Sequence, residues 1–185
     1  MDIKVGVSNH HVHLTKEALE VLFGKNYNLT NKRDLVQIGQ FVAEETVTLE
    51  CNGKTLEHIR IIGPCRNYTQ VELLDRDNEY FGINAPVRTS GDLSGSETID
   101  IIGPAGRVHA VESTIVADRH IHMSASDLIT YGVERGDIVS VRFPNGVVLD
   151  DFHIKSDITC ALELHMNKDD AEAHGIETGM EVIIC

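Results

Sequence analysis

Two short segments of the chain each carry two histidines separated by one residue. They are His11–His13, with the sequence His-Val-His, and His120–His122, with the sequence His-Ile-His. Side chains alternate between the two faces of a β-strand, so on a strand both imidazoles of a pair point the same way and the apolar residue points to the core. Neutral imidazole is a common ligand for zinc, copper, iron and nickel. Each segment therefore predicts a strand that offers two ligands to a metal ion.

Both histidine pairs lie in a longer internal repeat. The segment Val7–Leu14 (VSNHHVHL) returns as Val116–Met123 (VADRHIHM), and a Thr or Ser followed by a helix-like stretch comes next in each copy. Two copies of one unit usually pack as related halves. A single histidine pair is also explained by a polar strand face, whereas two pairs at matching places in a repeat favour metal binding. We predict a pseudo-twofold architecture with metal ligands in both halves.

Two histidines do not complete a metal site, because a catalytic zinc typically takes three protein ligands and keeps one open position. Glu72 and His165 are candidates for the missing ligands, since they fall on predicted strands at roughly corresponding places in the two halves. The alternative is a solvent-facing carboxylate for Glu72 and a polar strand end for His165. The other histidines lack such company and are interpreted as surface residues or neighbours of the site: His10, His58, His109, His153 and His174.

Two loops indicate anion binding. Gly63–Arg66 precedes the strand of Glu72, and Arg88–Ser96 is a Gly/Ser-rich stretch that begins with an arginine. Such loops can present backbone N–H groups to an anion, and the planar guanidinium matches the oxygens of a phosphate. A Ser-Gly stretch is also common as a simple turn, so the arginines are what favour an anion.

Composition limits the classes of partner. The formal net charge of −13 argues against a nucleic-acid surface, and the sequence has no apolar run of the roughly 20 residues that cross a bilayer. The chain opens at Met1 without a signal-peptide pattern. Its four cysteines are scattered with no CxxC pair. We therefore expect a cytoplasmic protein with reduced thiols and with neither nucleic-acid nor membrane partners.

Strand signals dominate the rest of the chain. Asn52-Gly53 predicts a type I′ turn between strands at 47–49 and 54–62, and Asn145-Gly146 predicts the same design between 139–143 and 147–154. Many short strands with such turns favour closed or sandwiched β structure. Further strands are predicted at 69–74, 97–102, 108–116, 162–165 and 181–184. Short helices are predicted at 16–23 after Thr15, at 125–131 after Ser124, and from 167 or 168 to 174.

Taken together, these motifs resemble the PduL-type phosphate acyltransferases, also called phosphate propanoyltransferases. The similarity covers nearly the whole chain and keeps the order of the family's motifs, which are Val5–Leu14, Gly63–Arg66, Thr69–Glu72, Arg88–Gly91 and Asp118–Ser124. The resemblance implies a mainly β fold of two related, intimately packed β-barrel domains with a few short helices. We expect the halves at about 1–90 and 91–185, with exchange of segments allowed, in one compact unit.

The resemblance also implies a dinuclear zinc site between the domains and a role for each motif. One zinc ion would be held by His11, His13 and Glu72, and the other by His120, His122 and His165. Arg66 would bind phosphate, with Ser90 nearby as a second catalytic residue. The expected contacts with coenzyme A are Val7, Ser8, Asn9, Lys54 and Arg60. Glu172 stands where relatives are expected to carry Asn.

The implied reaction is acyl-CoA plus phosphate giving acyl phosphate plus CoA, by direct attack of phosphate on the thioester. The first histidine pair begins at residue 11, so the chain resembles the cytoplasmic kind without a microcompartment-targeting segment. Open alternatives are a dinuclear zinc hydrolase of thioesters or phosphoesters, a non-enzymatic metal-binding β module, and an acyl-cysteine route through Cys65. The sequence does not set acyl chain length, direction, metal identity or oligomeric state, for which a homodimer is one option.

Overall fold

A computed structural model describes residues 3–185 of the chain. The chain divides into two compact units. One unit contains the residues up to Asn9, the short segment Val36–Ile38, and Asp118–Cys185. The other contains His10–Leu35 and Gly39–Ala117.

Residues 3–185 form fourteen strands and four short helices. In chain order, the strands are β1 (Ile3–Ser8), β2 (His11–His13), β3 (Asn31–Asp34), β4 (Phe41–Cys51), β5 (Lys54–Gly63), β6 (Gln70–Glu72), β7 (Val87–Arg88), β8 (Glu97–Ile102), β9 (Arg107–Ala117), β10 (His120–His122), β11 (Ile138–Arg142), β12 (Val148–Lys155), β13 (Glu163–Asn167) and β14 (Glu181–Ile184). The helices are α1 (Lys16–Phe23), α2 (Asp75–Phe81), α3 (Ala125–Tyr131) and α4 (Lys168–Ala173). Across residues 3–185, no helix combines the length and the apolar character needed to span a membrane.

Six strands of the first unit close into a barrel in the order β1, β13, β10, β12, β11, β14, with β14 returning to β1. Inward-facing apolar side chains fill its interior, as alternation along a strand requires. Ile121, Phe152 and Leu164 are among the core residues with no exposed surface. Ile121, which lies between the two histidines of β10, is therefore part of this core.

Six strands of the other unit also close into a barrel. It runs β4, β5, β2, β6, β9, β8, and closes because β8 pairs with both β9 and β4. Strands β3 and β7 extend the sheet beside β4 and β9. Val12, Leu49, Ile61 and Val71 lie fully buried in its core. The prediction of a mainly β fold with two related barrels and a few short helices is confirmed.

The two barrels repeat the same sequence of strand pairings. Starting from the histidine strand, β10 pairs antiparallel with β13, which pairs parallel with β1. In the same way, β2 pairs antiparallel with β6, which pairs parallel with β9. Strand β1 precedes the first histidine pair along the chain, and β9 precedes the second. The first strand of each sequence repeat therefore belongs to the barrel that contains the other repeat's histidine pair.

A capped helix follows each of the two histidine strands at an equivalent place. The Thr15 hydroxyl accepts a hydrogen bond from the backbone N–H of Ala18 at 3.0 Å, and the Ser124 hydroxyl accepts one from Asp127 N–H at 3.3 Å. Such caps satisfy backbone donors that the first helical turn leaves unpaired. The predicted bounds of α1 and α3 agree with the structure.

One helix was not predicted, and the prediction for one turn was wrong. Helix α2 was not expected, because its N-cap is Leu74, which has no capping side chain; instead the carboxylate of Asp77 accepts from the Leu74 N–H at 2.9 Å. The second hairpin does not repeat the turn of the first. Asn52 and Gly53 both have positive φ, as a type I′ turn requires, whereas in the second hairpin only Gly146 does. Pro144 fixes a negative φ suited to a type I turn, and the Gly146 N–H bonds to the Phe143 carbonyl.

Candidate metal centres and anion site

The side chains of His11, His13 and Glu72 meet on one face of the sheet in their barrel, and we call them the glutamate cluster. Strand register places Glu72 directly opposite His11 on the neighbouring strand. The Nε2 atoms of the two histidines are 3.2 Å apart. Oε2 of Glu72 lies 3.3 Å from Nε2 of His11, and Oε1 of Glu72 lies 3.5 Å from Nε2 of His13. The prediction that both imidazoles of this pair point the same way is confirmed.

The spacing of the two imidazole nitrogens and the carboxylate oxygens in the glutamate cluster is close to that around a tetrahedral zinc ion. Zinc bonds to imidazole nitrogen and carboxylate oxygen at about 2.0–2.2 Å, so neighbouring ligand atoms in a tetrahedral site lie about 3.3–3.6 Å apart. The separations of 3.2–3.5 Å in the glutamate cluster are close to these values. Two imidazoles and one carboxylate also form the donor set of many catalytic zinc sites.

The charge states in the glutamate cluster suit a metal. Burial lowers the pKa of His13 to about 4, against the opposing effect of its hydrogen bond with Glu72. Burial alone would raise the pKa of Glu72, but the charge and hydrogen bonds of His11 and His13 outweigh it and hold that pKa well below its usual value. At neutral pH the cluster therefore offers a neutral imidazole at His13 and an ionised carboxylate, the forms that bind metals.

His120, His122 and His165 form a second group in the other barrel, and we call it the histidine cluster. His165 lies opposite His120 on the antiparallel neighbour strand. The three ring centroids are 4.8–5.2 Å apart, and one ligand atom from each ring lies within 4.8 Å of the others. Three imidazoles converging on one point are also a known zinc donor set.

One nitrogen of each ring in the histidine cluster is held by the protein. His120 Nδ1 is 2.8 Å from the Asp118 carbonyl. His122 Nδ1 is 3.4 Å from the sulfur of Cys160, and His165 Nε2 is 2.6 Å from a carboxylate oxygen of Glu163. Such contacts fix the orientation and the tautomer of a ring whose opposite nitrogen binds a metal. Burial also lowers the pKa of His120, which keeps that imidazole neutral.

The two arginine-containing loops meet beside the glutamate cluster. Arg66 donates from Nη1 to the hydroxyls of Tyr68 and Ser90, both at 3.2 Å. Among residues 3–185 the other two guanidinium nitrogens of Arg66 have no hydrogen-bond partner, so donors remain for an anion. The charge of Arg66 also contributes to the lowered pKa of His13, after the larger effect of burial. The structure thus brings Arg66 and Ser90 together next to a candidate metal centre.

The residues expected to contact coenzyme A fall into separate places. Val7 and Ser8 end β1, whose Gly6 pairs with His165, and Asn9 follows directly. In the other unit Arg60 is paired in register with His11. Lys54 begins the same strand, six residues and about 20 Å before Arg60. Its ammonium group contacts the carbonyl and the ring of Tyr80. Arg60 is therefore beside the cluster, and Lys54 is not.

Cys65 has the properties of a packing residue. Its side chain is partly buried against the core of its barrel. Burial raises the pKa of its thiol, so the thiolate that a nucleophile requires is disfavoured at neutral pH. The structure therefore gives no support to an acyl-cysteine route.

Four polar residues around the clusters were not found from the sequence. Gln70 and Glu163 each lie two residues before the third member of a cluster, so strand alternation was a usable signal for both. Asp118 precedes the second histidine pair and contacts His120. Gln37 contacts Glu163 from 126 residues away, and no local pattern could indicate that contact.

Curated proteins similar to this chain include phosphate propanoyltransferases from several bacteria. The chain is 45% identical over 185 residues to a phosphate propanoyltransferase of Thermotoga maritima, with 98% of this chain and 88% of the relative covered. It is 43% identical to one from Lachnoclostridium phytofermentans, covering 98% and 86%. It is 38% identical to one from Salmonella typhimurium, covering 95% and 84%. These likenesses place the chain among acyltransferase enzymes.

A family model described as phosphate propanoyltransferase matches residues 4–177, which include both clusters, Arg66 and Ser90. The chain belongs to the phosphate propanoyltransferase family. The resemblance to this family that the sequence motifs indicated is confirmed.

Proposed function

We propose that this protein exchanges a short-chain acyl group between coenzyme A and inorganic phosphate, with one zinc ion held by each cluster. The partners are acyl-CoA and phosphate on one side of the reaction and acyl phosphate and CoA on the other. Membership of the phosphate propanoyltransferase family supports the reaction type. Two donor sets suited to zinc support the metal, and both ions are required for turnover in this proposal.

One observation carries the proposal: the candidate phosphate-binding arginine is linked by hydrogen bonds to a candidate zinc ligand. Arg66 bonds to the Ser90 hydroxyl at 3.2 Å. Ser90 in turn accepts from Gln70 at 2.9 Å, and the same amide nitrogen donates to Glu72 at 2.7 Å. A guanidinium and a metal ligand in one rigid network suit an anionic substrate that must be bound and oriented at the same point.

Zinc, when bound, would supply Lewis-acid stabilisation of negative charge on phosphate and carbonyl oxygens. Arg66 would hold phosphate through the guanidinium donors that the protein leaves unused. Ser90 accepts hydrogen bonds from Arg66 and Gln70, so its own O–H is directed to a further acceptor, which we assign to a substrate oxygen.

The chemical step is direct transfer. A phosphate oxygen held by Arg66 attacks the thioester carbonyl carbon, and a C–O bond forms as the carbonyl oxygen becomes negative. The Ser90 O–H donates to oxygen during this change. The C–S bond then breaks and CoA leaves as the thiolate, which needs little help from a general acid because thiol pKa values are about 8.5. No covalent bond to the protein forms, in keeping with the raised pKa of Cys65.

For coenzyme A we propose contacts through the end of β1, Val7 to Asn9, and through Arg60. Backbone groups at a strand end can bind the amide-rich arm of the cofactor, and a half-buried guanidinium suits a phosphate. Lys54 remains a proposed contact only for a distant part of the cofactor, because its ammonium group lies at the hairpin end of β5.

The proposal is tested by the phosphate dependence of thiol release. We expect acetyl-CoA or propanoyl-CoA to yield free CoA, measured with a thiol reagent, only when phosphate is present, with an equal amount of acyl phosphate. The reason is that phosphate itself is the nucleophile in this mechanism. Sulfate, which has a similar shape but is a weak nucleophile, serves as the control anion.

Two outcomes would contradict the proposal. Thiol release at the same rate without phosphate would identify a thioester hydrolase. Metal-loaded protein with no turnover of either thioester would favour a binding module.

A further inference from the structure

A polar side chain stands two residues before the third member of each cluster, at equivalent places in the two barrels. Gln70 precedes Glu72 on β6, and Glu163 precedes His165 on β13. Strand register places Gln70 opposite His13 and Glu163 opposite His122. Because side chains alternate along a strand, each polar residue shares a face with the ligand that follows it.

The polar residue is a hydrogen-bond donor in one barrel and an acceptor in the other. Gln70 donates from its amide nitrogen to a carboxylate oxygen of Glu72 at 2.7 Å. Glu163 presents a carboxylate oxygen 2.6 Å from Nε2 of His165, which can donate a proton to it. The carboxylate ligand is thus matched with a donor, and the imidazole ligand with an acceptor. The residue type at the position follows the chemical type of the ligand in each barrel.

Each polar residue is itself held in place. Gln70 is fully buried, its oxygen accepts from the Gly91 N–H at 2.8 Å, and its nitrogen also donates to Ser90 at 2.9 Å. Glu163 accepts from the amide of Gln37 at 3.2 Å. The Gln37 side chain is fixed by two bonds of 3.0 Å to the backbone of Ala161. Neither residue can turn away from its ligand without breaking these bonds.

A glycine makes room for Glu163. Gly6 lies in register with His165 on the neighbouring strand β1. A Cβ atom at Gly6 would come within 2.7 Å of the Glu163 carboxylate and 3.2 Å of the His165 ring. Any larger residue at position 6 would therefore displace the contact between Glu163 and His165.

We propose that Gln70 and Glu163 are positioning residues that orient the third zinc ligand of their respective clusters. The inference rests on the zinc binding in the proposed function and assigns roles to two residues outside the ligand sets. An acceptor on a histidine ligand fixes its tautomer and ring orientation and raises its basicity, and a donor to a carboxylate ligand fixes which oxygen faces the metal. Each residue therefore sets the metal affinity of its own cluster.

The test measures zinc affinity of each cluster separately by competition with a chromophoric chelator. In the His11→Ala background only the histidine cluster remains intact, and in His120→Ala only the glutamate cluster does. We expect Glu163→Gln to weaken zinc binding about 10–100-fold in the first background. Gln70→Met, which keeps the volume and removes the donor, should have the same effect in the second background. Each substitution should have no effect in the other background.

Controls separate this inference from the proposed function. Glu181→Gln, which changes an exposed residue of β14, should leave both affinities unchanged. Gly6→Ala, which removes no polar group, should weaken zinc binding by the histidine cluster alone. Thermal unfolding of the metal-free variants tests whether they fold. Two zinc ions in the parent protein with unchanged affinities in Glu163→Gln and Gln70→Met would overturn the inference and leave the proposed function standing. Failure of the parent protein to bind zinc would overturn both.

Discussion

Replacing Arg66 with Ala should lower kcat/KM for phosphate by about 10²–10³-fold, the usual effect of removing one preorganised donor to a developing charge. Arg66 holds Ser90 and retains further donors beside the glutamate cluster. The activity should fall mainly through weaker use of phosphate. In our proposal the KM for acyl-CoA does not depend on the contact between Arg66 and phosphate. Steady-state rates with phosphate and acyl-CoA varied in turn measure the two separately.

Arg66→Lys refines this prediction. Lysine keeps the charge but lacks the planar fork, so we expect only part of the activity to return. Arg107→Ala is the matched control, since Arg107 is an exposed residue whose ion pairs with Glu50 and Asp100 lie on the surface. An Arg66→Ala enzyme with the parent protein's phosphate dependence would remove Arg66 from the mechanism.

Replacing His120 with Ala should reduce bound zinc from two ions per chain to one and lower kcat by at least about 10³-fold, equivalent to about 4 kcal/mol in the barrier. His120 is buried, its Nδ1 is held by the Asp118 carbonyl, and its ring faces His122 and His165. Alanine removes one of three imidazoles, and two are insufficient for a tight catalytic site. Metal analysis of the purified variant and its turnover rate are the two measurements.

His109→Ala provides the comparison, because His109 is an exposed histidine paired with Asp100 on the surface. We expect that variant to keep two zinc ions and full activity. A His120→Ala protein that also keeps two zinc ions and full turnover would exclude the histidine cluster as a metal site.

The histidine strands and their helix caps could be predicted because the signals are local. Alternation along a strand was enough to orient His11 with His13 and to bury Val12. Thr15 and Ser124 fixed the starts of α1 and α3 through capping that depends on neighbouring residues only. The repeat indicated Glu72 and His165 as third members, and strand register places both opposite a histidine.

What the sequence did not show depends on distant parts of the chain. The pairing of β1 with β13 brings residues near 5 and 164 together, and no local pattern specifies such a register. The contact of Gln37 with Glu163 has the same origin. Helix α2 was missed for a different reason. Its N-cap residue, Leu74, has no polar side chain to mark the start of a helix, and the hydrogen bond at this end is made by Asp77.

The most direct test of the account is a zinc titration of metal-free protein, followed by phosphate-dependent acyl phosphate formation at each point. We expect no turnover without zinc and a rise to a plateau at two equivalents per chain, one for each cluster. Full phosphate-dependent turnover by the metal-free protein would contradict the account.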